Sequence, residues 1–193
     1  HVHGLFVALH CAMLKATPMI FLPAFDAGEV LEALPGATVM MGVPTFYSRL
    51  LGNEGLDKAS CAHMRLFISG SAPLTRQTFE AWELRTGHRI LERYGMSETM
   101  MNISNPLVGD RVAGTVGFPL PGVRVRIASE SGEILPADEV GIIEVKGPNV
   151  FKGYWQMPEK TAAEFREDGF FITGDQAVMD RSGRVSIVGR EKD

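Results

Sequence analysis

From residue 4 to about residue 105, apolar positions fall alternately into runs of strand length and into helical spacing. Leu5, Leu9, Ala12 and Met13 share one helical face, residues 19–22 form a short apolar run, and residues 29–34 are helix-like up to Pro35. Residues 38–43 are strand-like, Pro44 stands where a helix start tolerates proline, and Phe46, Leu50 and Leu51 continue that helix. An apolar run over 65–68, a helix over 74–86 closed by Gly87, and a strand beginning at Ile90 and Leu91 extend the rhythm. Strands alternating with helices predict a parallel sheet with crossover helices, and ligand sites at the carboxyl ends of its strands.

After Pro119-Leu120-Pro121-Gly122 the period shortens to two. Val123, Val125 and Ile127 alternate with Arg124 and Arg126, residues 129–132 read as a turn, and Ile142, Ile143 and Val145 form another strand. Val185 and Ile187 alternate again, and residues 159–165 suit one short helix. The predicted fold class is α/β, a parallel βαβ portion over residues 1–118 followed by a mainly antiparallel β subdomain over residues 119–193.

Composition narrows the partners. With 193 residues, 45% of them apolar, the chain buries a sizeable core, and a formal net charge of -4 provides no basic field for nucleic acid or anionic lipid. Neither partner is expected. Cys11 and Cys61 have no metal-ligand spacing, and no apolar run is long enough to span a bilayer, so a cytoplasmic setting with reduced thiols is the expectation. The chain opens on His1-Val2-His3-Gly4 without an initiator Met and stops at Asp193 just after a strand-like run. It reads as an internal piece of a longer protein, with segments missing on both sides.

Four segments gather residue types that nucleotide chemistry needs. Ile68-Ser69-Gly70-Ser71-Ala72-Pro73 is a strand leading through small residues into a helix, where backbone can approach a planar or phosphorylated ligand. Alone it reads equally well as an ordinary βα turn. Arg93-Tyr94-Gly95-Met96-Ser97-Glu98-Thr99 combines an aromatic ring, a hydroxyl and a carboxylate, a set suited to adenine, phosphate and a magnesium ion. Its structural alternative is a core-edge tyrosine and a solvated glutamate. Gly169-Phe170-Phe171-Ile172-Thr173-Gly174-Asp175 carries an aspartate on a glycine-flanked turn, a fit for two ribose hydroxyls. Gly189-Arg190-Glu191-Lys192-Asp193 adds an arginine that could approach the same sugar.

The order and spacing of these segments, with His1-Val2-His3-Gly4 ahead of them and residues 114–122 and 147–155 among them, resemble the signatures of the adenylate-forming, AMP-binding superfamily of acyl-coenzyme A synthetases. The resemblance implies a role for each matching position. His1 lines the acyl pocket. Ser71, Ala72 and Pro73 border adenine, Tyr94 lies against it, Ser97 supplies a phosphate-binding hydroxyl and Glu98 the magnesium carboxylate. Asp175 binds ribose beside Arg190, and Asp193 sits at the hinge of the small carboxyl-terminal domain found in relatives.

Within that superfamily, Glu92-Arg93-Tyr94-Gly95-Met96, residues 41–47 and Met101-Asn102 resemble the malonyl-coenzyme A synthetases. An arginine before the adenine-side aromatic offers a guanidinium fork to a second, non-reacting carboxylate. Its structural alternative is a surface position or an ion pair with Glu92. The implied activity is a two-step ligation: malonate and ATP with Mg2+ give malonyl-adenylate, and the thiol of coenzyme A then displaces AMP. Val2 and Met101 would flank the acyl pocket. Relatives supply an upstream phosphate loop and a downstream catalytic lysine, neither of which occurs in these residues, so the chain alone is expected to be inactive. The rival readings are a synthetase for a short or medium monocarboxylate and a non-catalytic nucleotide-binding module.

Overall fold

The computed structural model describes residues 3–190. The chain opens with a π-helical stretch, His3–Leu9, that runs into α1 (His10–Leu14). The apolar run at 19–22, expected as a strand, forms none: Met19, Ile20 and Phe21 are exposed. A strand needs a partner ladder, and the run does not add to the free edge of β1 (Val39–Gly42).

Between these lies α2 (Ala27–Ala33), capped by the Asp26 carboxylate, which accepts from the Glu29 amide at 3.0 Å; Pro35 ends it in a 3-10 turn, Leu34–Gly36. After β1 come α3 (Pro44–Leu51), starting on the proline as expected, and a short α4 (Lys58–Cys61) that the periodicity did not reveal. Then follow β2 (Leu66–Ser69), α5 (Arg76–Thr86), closed by Gly87 at φ +78°, and β3 (Leu91–Met96).

The expected parallel pairing holds for β1, β2 and β3. The chain then reverses instead of crossing over. Residues 97–99 make a three-residue loop into β4 (Met100–Ser104), which runs antiparallel to β3, and β5 (Phe118–Pro119) adds antiparallel to β4. The first sheet is therefore mixed, in the order β1-β2-β3-β4-β5. Periodicity missed β4 because a three-residue reversal leaves almost no turn signature.

The second sheet is antiparallel throughout, as expected, in the order β6 (Arg124–Ala128), β7 (Val140–Lys146), β8 (Phe171–Met179), β9 (Val185–Arg190), with α6 (Pro158–Ala163) between β7 and β8. Two cores result. Trp82, Tyr47 and Phe67 meet edge to face among Leu34, Leu50, Leu56 and Ile90, joining helices α3 to α5 to one face of the first sheet. Tyr94, Ile103 and Val116 from the first sheet pack with Ile127, Ile143, Val145, Ala177 and Val185 from the second. That second core fixes the two sheets against each other.

Gly95 marks the tightest point of the β3–β4 reversal. A Cβ there would sit 1.9 Å from the Met100 carbonyl oxygen and 2.7 Å from the Met101 Cε. Backbone must move to admit even a methyl group, so in the protein carrying this chain Gly95→Ala costs about 1–3 kcal/mol, read as a lowered denaturation midpoint in urea. A midpoint equal to the parent's would contradict the close approach.

Candidate active site

Strand β3 builds the site by alternation. Successive side chains point to opposite faces, so Glu92 and Arg93 diverge and no ion pair joins them. Glu92 turns toward α5. It is buried, and its carboxylate accepts from the Leu74 amide at 3.1 Å, just beyond the loop 71–73. Its second oxygen is buried without a hydrogen-bond partner, and burial pushes its pKa up to about 7 against the pull of the Leu74 amide.

Arg93 turns to the other face, where Leu66, Ile68, Leu91, Pro106, Leu107, Phe118 and Leu120 help line a groove of about 420 Å³. The guanidinium is half-buried. One of its terminal nitrogens donates to the Met41 sulfur at 4.0 Å, its Nε has no partner, and no carboxylate lies within ion-pair distance among the described residues. Burial pulls its pKa down. His3, inside the opening His-x-x-Gly signature, is also buried, and its pKa is lowered by burial and then by the Arg93 charge. His1 and Val2, assigned to the acyl pocket from the sequence, lie outside the described residues, as does Asp193 at the expected hinge. His3 was missed because the motif draws attention to its first histidine.

Tyr94 faces the second sheet. Its hydroxyl donates to Asp175 Oδ2 at 2.6 Å, while Arg190 Nε donates to Asp175 Oδ1 at 3.0 Å. Three residues taken from three separate segments thus meet at one carboxylate. Asp175 was expected on a turn, but it lies within β8, because Gly174 at φ +72° and a register shift at Gln176 and Ala177 bend the strand rather than end it. Tyr94 likewise lies in a strand, not after one. Its phenol is held well above its ordinary pKa by burial and then by the Asp175 charge, so it remains a donor.

Ser71, Ala72 and Pro73 form an exposed loop after β2, with Ser71 at φ +70°. Behind it, a Cβ on the buried Gly70 would lie 3.2 Å from the His3 ring and 3.4 Å from the Arg93 carbonyl, so this loop and β3 are close neighbours. Ser97 is exposed and Glu98 half-buried in the 97–99 loop, and Met101 is half-buried at the start of β4. The loop is braced by groups that sequence reasoning left unassigned. Asn102 Nδ2 donates to Thr99 Oγ1 at 2.6 Å, and Asn149 Nδ2 donates to the Thr99 carbonyl at 2.6 Å and to Asn102 Oδ1 at 2.9 Å.

Glu98 offers a hard oxygen at a reachable turn. Among the described residues no group of three or more histidine, cysteine or acidic side chains is placed to hold a metal by itself. A magnesium ion delivered with nucleotide phosphates needs only one or two protein carboxylates, and Glu98 is the one carboxylate in this loop.

The family model described as AMP-binding enzyme matches residues 1–155. The chain belongs to that family. It is 44% identical to a malonate–CoA ligase of Arabidopsis thaliana over 98% of its own length and 34% of the relative's. It therefore spans about a third of the length of that relative. Its fold is that of MatB from Rhodopseudomonas palustris solved with ATP bound, with a TM-score of 0.98 and 59% identity over 100% of this chain and 39% of that one. A malonyl-CoA ligase solved with methylmalonyl-CoA and AMP matches with a TM-score of 0.89 and 44% identity, covering 98% of this chain and 42% of that one.

Glu92 gives the site a pH signature. An acid whose pKa is raised from about 4.5 to about 7 binds more protons folded than unfolded between those values. Stability therefore falls as pH rises through that window, by at most about 3 kcal/mol. Urea denaturation of the protein carrying this chain at pH 5 and pH 7.5 should show the decline, and Glu92→Gln should flatten it. An identical pH dependence in the variant would contradict the buried, ionisable state.

Proposed function

We propose that this chain is the nucleotide- and acid-binding part of an ATP-dependent ligase that adenylates malonate and transfers the malonyl group to coenzyme A. The observation that carries the substrate is Arg93: a half-buried guanidinium in an apolar groove with no carboxylate partner among the described residues. Leaving such a charge unmatched is costly, and a ligand carboxylate relieves that cost. A monocarboxylate spends its only carboxylate in the reaction and has nothing left for the arginine. Malonate has a second one. The identity to the malonate–CoA ligase of Arabidopsis thaliana and to the malonyl-CoA ligase structure supports the same substrate.

The geometry supports the remaining roles. Tyr94 and Arg190 fix the Asp175 carboxylate from two sides, and its spare lone pairs would accept the ribose hydroxyls. Ser71, Ala72 and Pro73 would border adenine beside the Tyr94 ring, and Ser97 would donate its hydroxyl to a phosphate oxygen. Mg2+ bound with ATP at Glu98 would supply charge neutralisation at the phosphates. Arg93 would hold the distal carboxylate so that an oxygen of the other, reacting carboxylate faces phosphorus, with Met101, and Val2 and His1 outside the described residues, bordering the acyl group. We read the setting as cytoplasmic, in keeping with two free thiols, Cys11 exposed and Cys61 buried. No helix of the described residues is long and apolar enough to cross a membrane.

Two measurements test the proposal. The isolated 193 residues should release no pyrophosphate from ATP, malonate and Mg2+, and release would show that the segments supplied by relatives are dispensable. In the protein carrying this chain, Arg93→Ala should cost malonate about 2–5 kcal/mol in kcat/KM and Arg93→Lys should recover part of it, while butyrate use changes little. A malonate-to-butyrate ratio unmoved by Arg93→Ala would sink the dicarboxylate reading.

A further inference from the structure

His3 stands at the start of the π-helical stretch and packs where β2 ends beside β3. A Cβ on the buried Gly70 would lie 3.2 Å from its Cε1, 3.3 Å from its Nδ1 and 3.4 Å from the Arg93 carbonyl. Glycine at that position lets the imidazole rest close to the backbone of Arg93. The residue is only 6% exposed, and its Nε2 is buried without a hydrogen-bond partner. The Arg93 Nε is likewise buried and unpartnered. Two neighbouring basic side chains thus each keep a buried nitrogen unsatisfied, a cost that an oxygen acceptor relieves.

Charge decides which of the two is a cation. Burial first, and then the Arg93 charge, hold the His3 imidazole below its ordinary pKa, so it is neutral at neutral pH. Arg93 in turn has Cys11 of α1 and Tyr47 of α3 about it, and burial keeps the Tyr47 phenol protonated. Strand β4, which packs against the π-helical stretch, carries no titratable side chain, and Glu92 lies on the opposite face of β3.

A carboxylate bound to Arg93 reverses the field at His3. The positive charge that opposed protonation is cancelled, and a negative oxygen comes within reach of the imidazole, so the imidazolium becomes favourable. Resting on the reading of Arg93 as the anchor of a second carboxylate, we propose that His3 is a further specificity-determining residue, which takes a proton from solvent as the distal carboxylate settles on Arg93 and donates to that carboxylate through Nε2. A monocarboxylate leaves Arg93 unmatched and His3 neutral. Selectivity for a dicarboxylate therefore sharpens as pH falls, because the bound state holds more protons than the free state.

The test is the ratio of kcat/KM for malonate over butyrate between pH 8.5 and pH 6, in the protein carrying this chain and in its His3→Gln variant. The ratio cancels the titration of ATP and coenzyme A, and both proteins share malonate's own protonation. Glutamine keeps a donor but cannot take up the proton. The wild-type ratio divided by the variant's should therefore rise about tenfold from pH 8.5 to pH 6, within the limit of about tenfold per pH unit for one proton. A quotient that stays level across that range would overturn the proposal. Should His3→Gln fail to fold, calorimetry of the wild-type protein with malonate at pH 7, in two buffers of different ionisation heat, counts the proton directly. Uptake that is absent with malonate, or equal with butyrate, would overturn it as well. An Arg93→Ala ratio equal to the wild type's sinks the anchor reading itself, whereas a lowered Arg93→Ala ratio beside a level His3 quotient sinks only the role of His3.

Discussion

The rest of the site depends on the reversal of the chain between β3 and β4. The approach of Met100 to Gly95, closer than any side chain would permit, lets a three-residue loop turn the strand back on itself, and that loop carries Ser97 and Glu98. Because β4 then lies against β3, Ile103 joins Tyr94 in the core shared with the second sheet. The same packing brings Asp175 from β8 and Arg190 from β9 to the Tyr94 hydroxyl. Without the reversal, Tyr94 and Glu98 would have no fixed relation to the second sheet.

A strand so anchored sorts chemistry by parity. Tyr94 faces the second sheet, where its hydroxyl meets Asp175, while Arg93 faces an apolar groove on the opposite side. One residue earlier, Glu92 supports the loop 71–73 through the Leu74 amide. Three consecutive side chains therefore meet three different surroundings, and a slip of one residue would exchange the groove side for the side facing the second sheet. The bulge at Tyr94 and Gly95 and the Asn149-Thr99-Asn102 hydrogen bonds hold that register.

Much of this was legible in the sequence. Pro44 starts α3, Gly87 ends α5, and the alternation at Val125 and Ile127 lies on an antiparallel strand, because local backbone preference and burial agree at those positions. The run 19–22 misled because apolar character alone does not supply a pairing partner. Strand β4 and the strand setting of Asp175 were hidden because both depend on left-handed or bulged backbone, at Met100 and Gly174, that pattern reading cannot see. The stretch 147–155 was recognised in the sequence, but the bracing role of Asn149 was not, because it acts through contacts with Thr99 and Asn102 more than forty residues away.

The central claim, that β3 presents an acid-anchoring arginine on one face and a nucleotide-facing tyrosine on the other, is tested most directly by a crystal structure. The protein carrying this chain would be solved with a non-hydrolysable malonyl-adenylate mimic. The account predicts the distal carboxylate paired with both arms of the Arg93 guanidinium at about 2.7–2.9 Å, and the ribose hydroxyls on Asp175. A distal carboxylate turned to solvent, with Arg93 paired to a carboxylate of the protein instead, would contradict it.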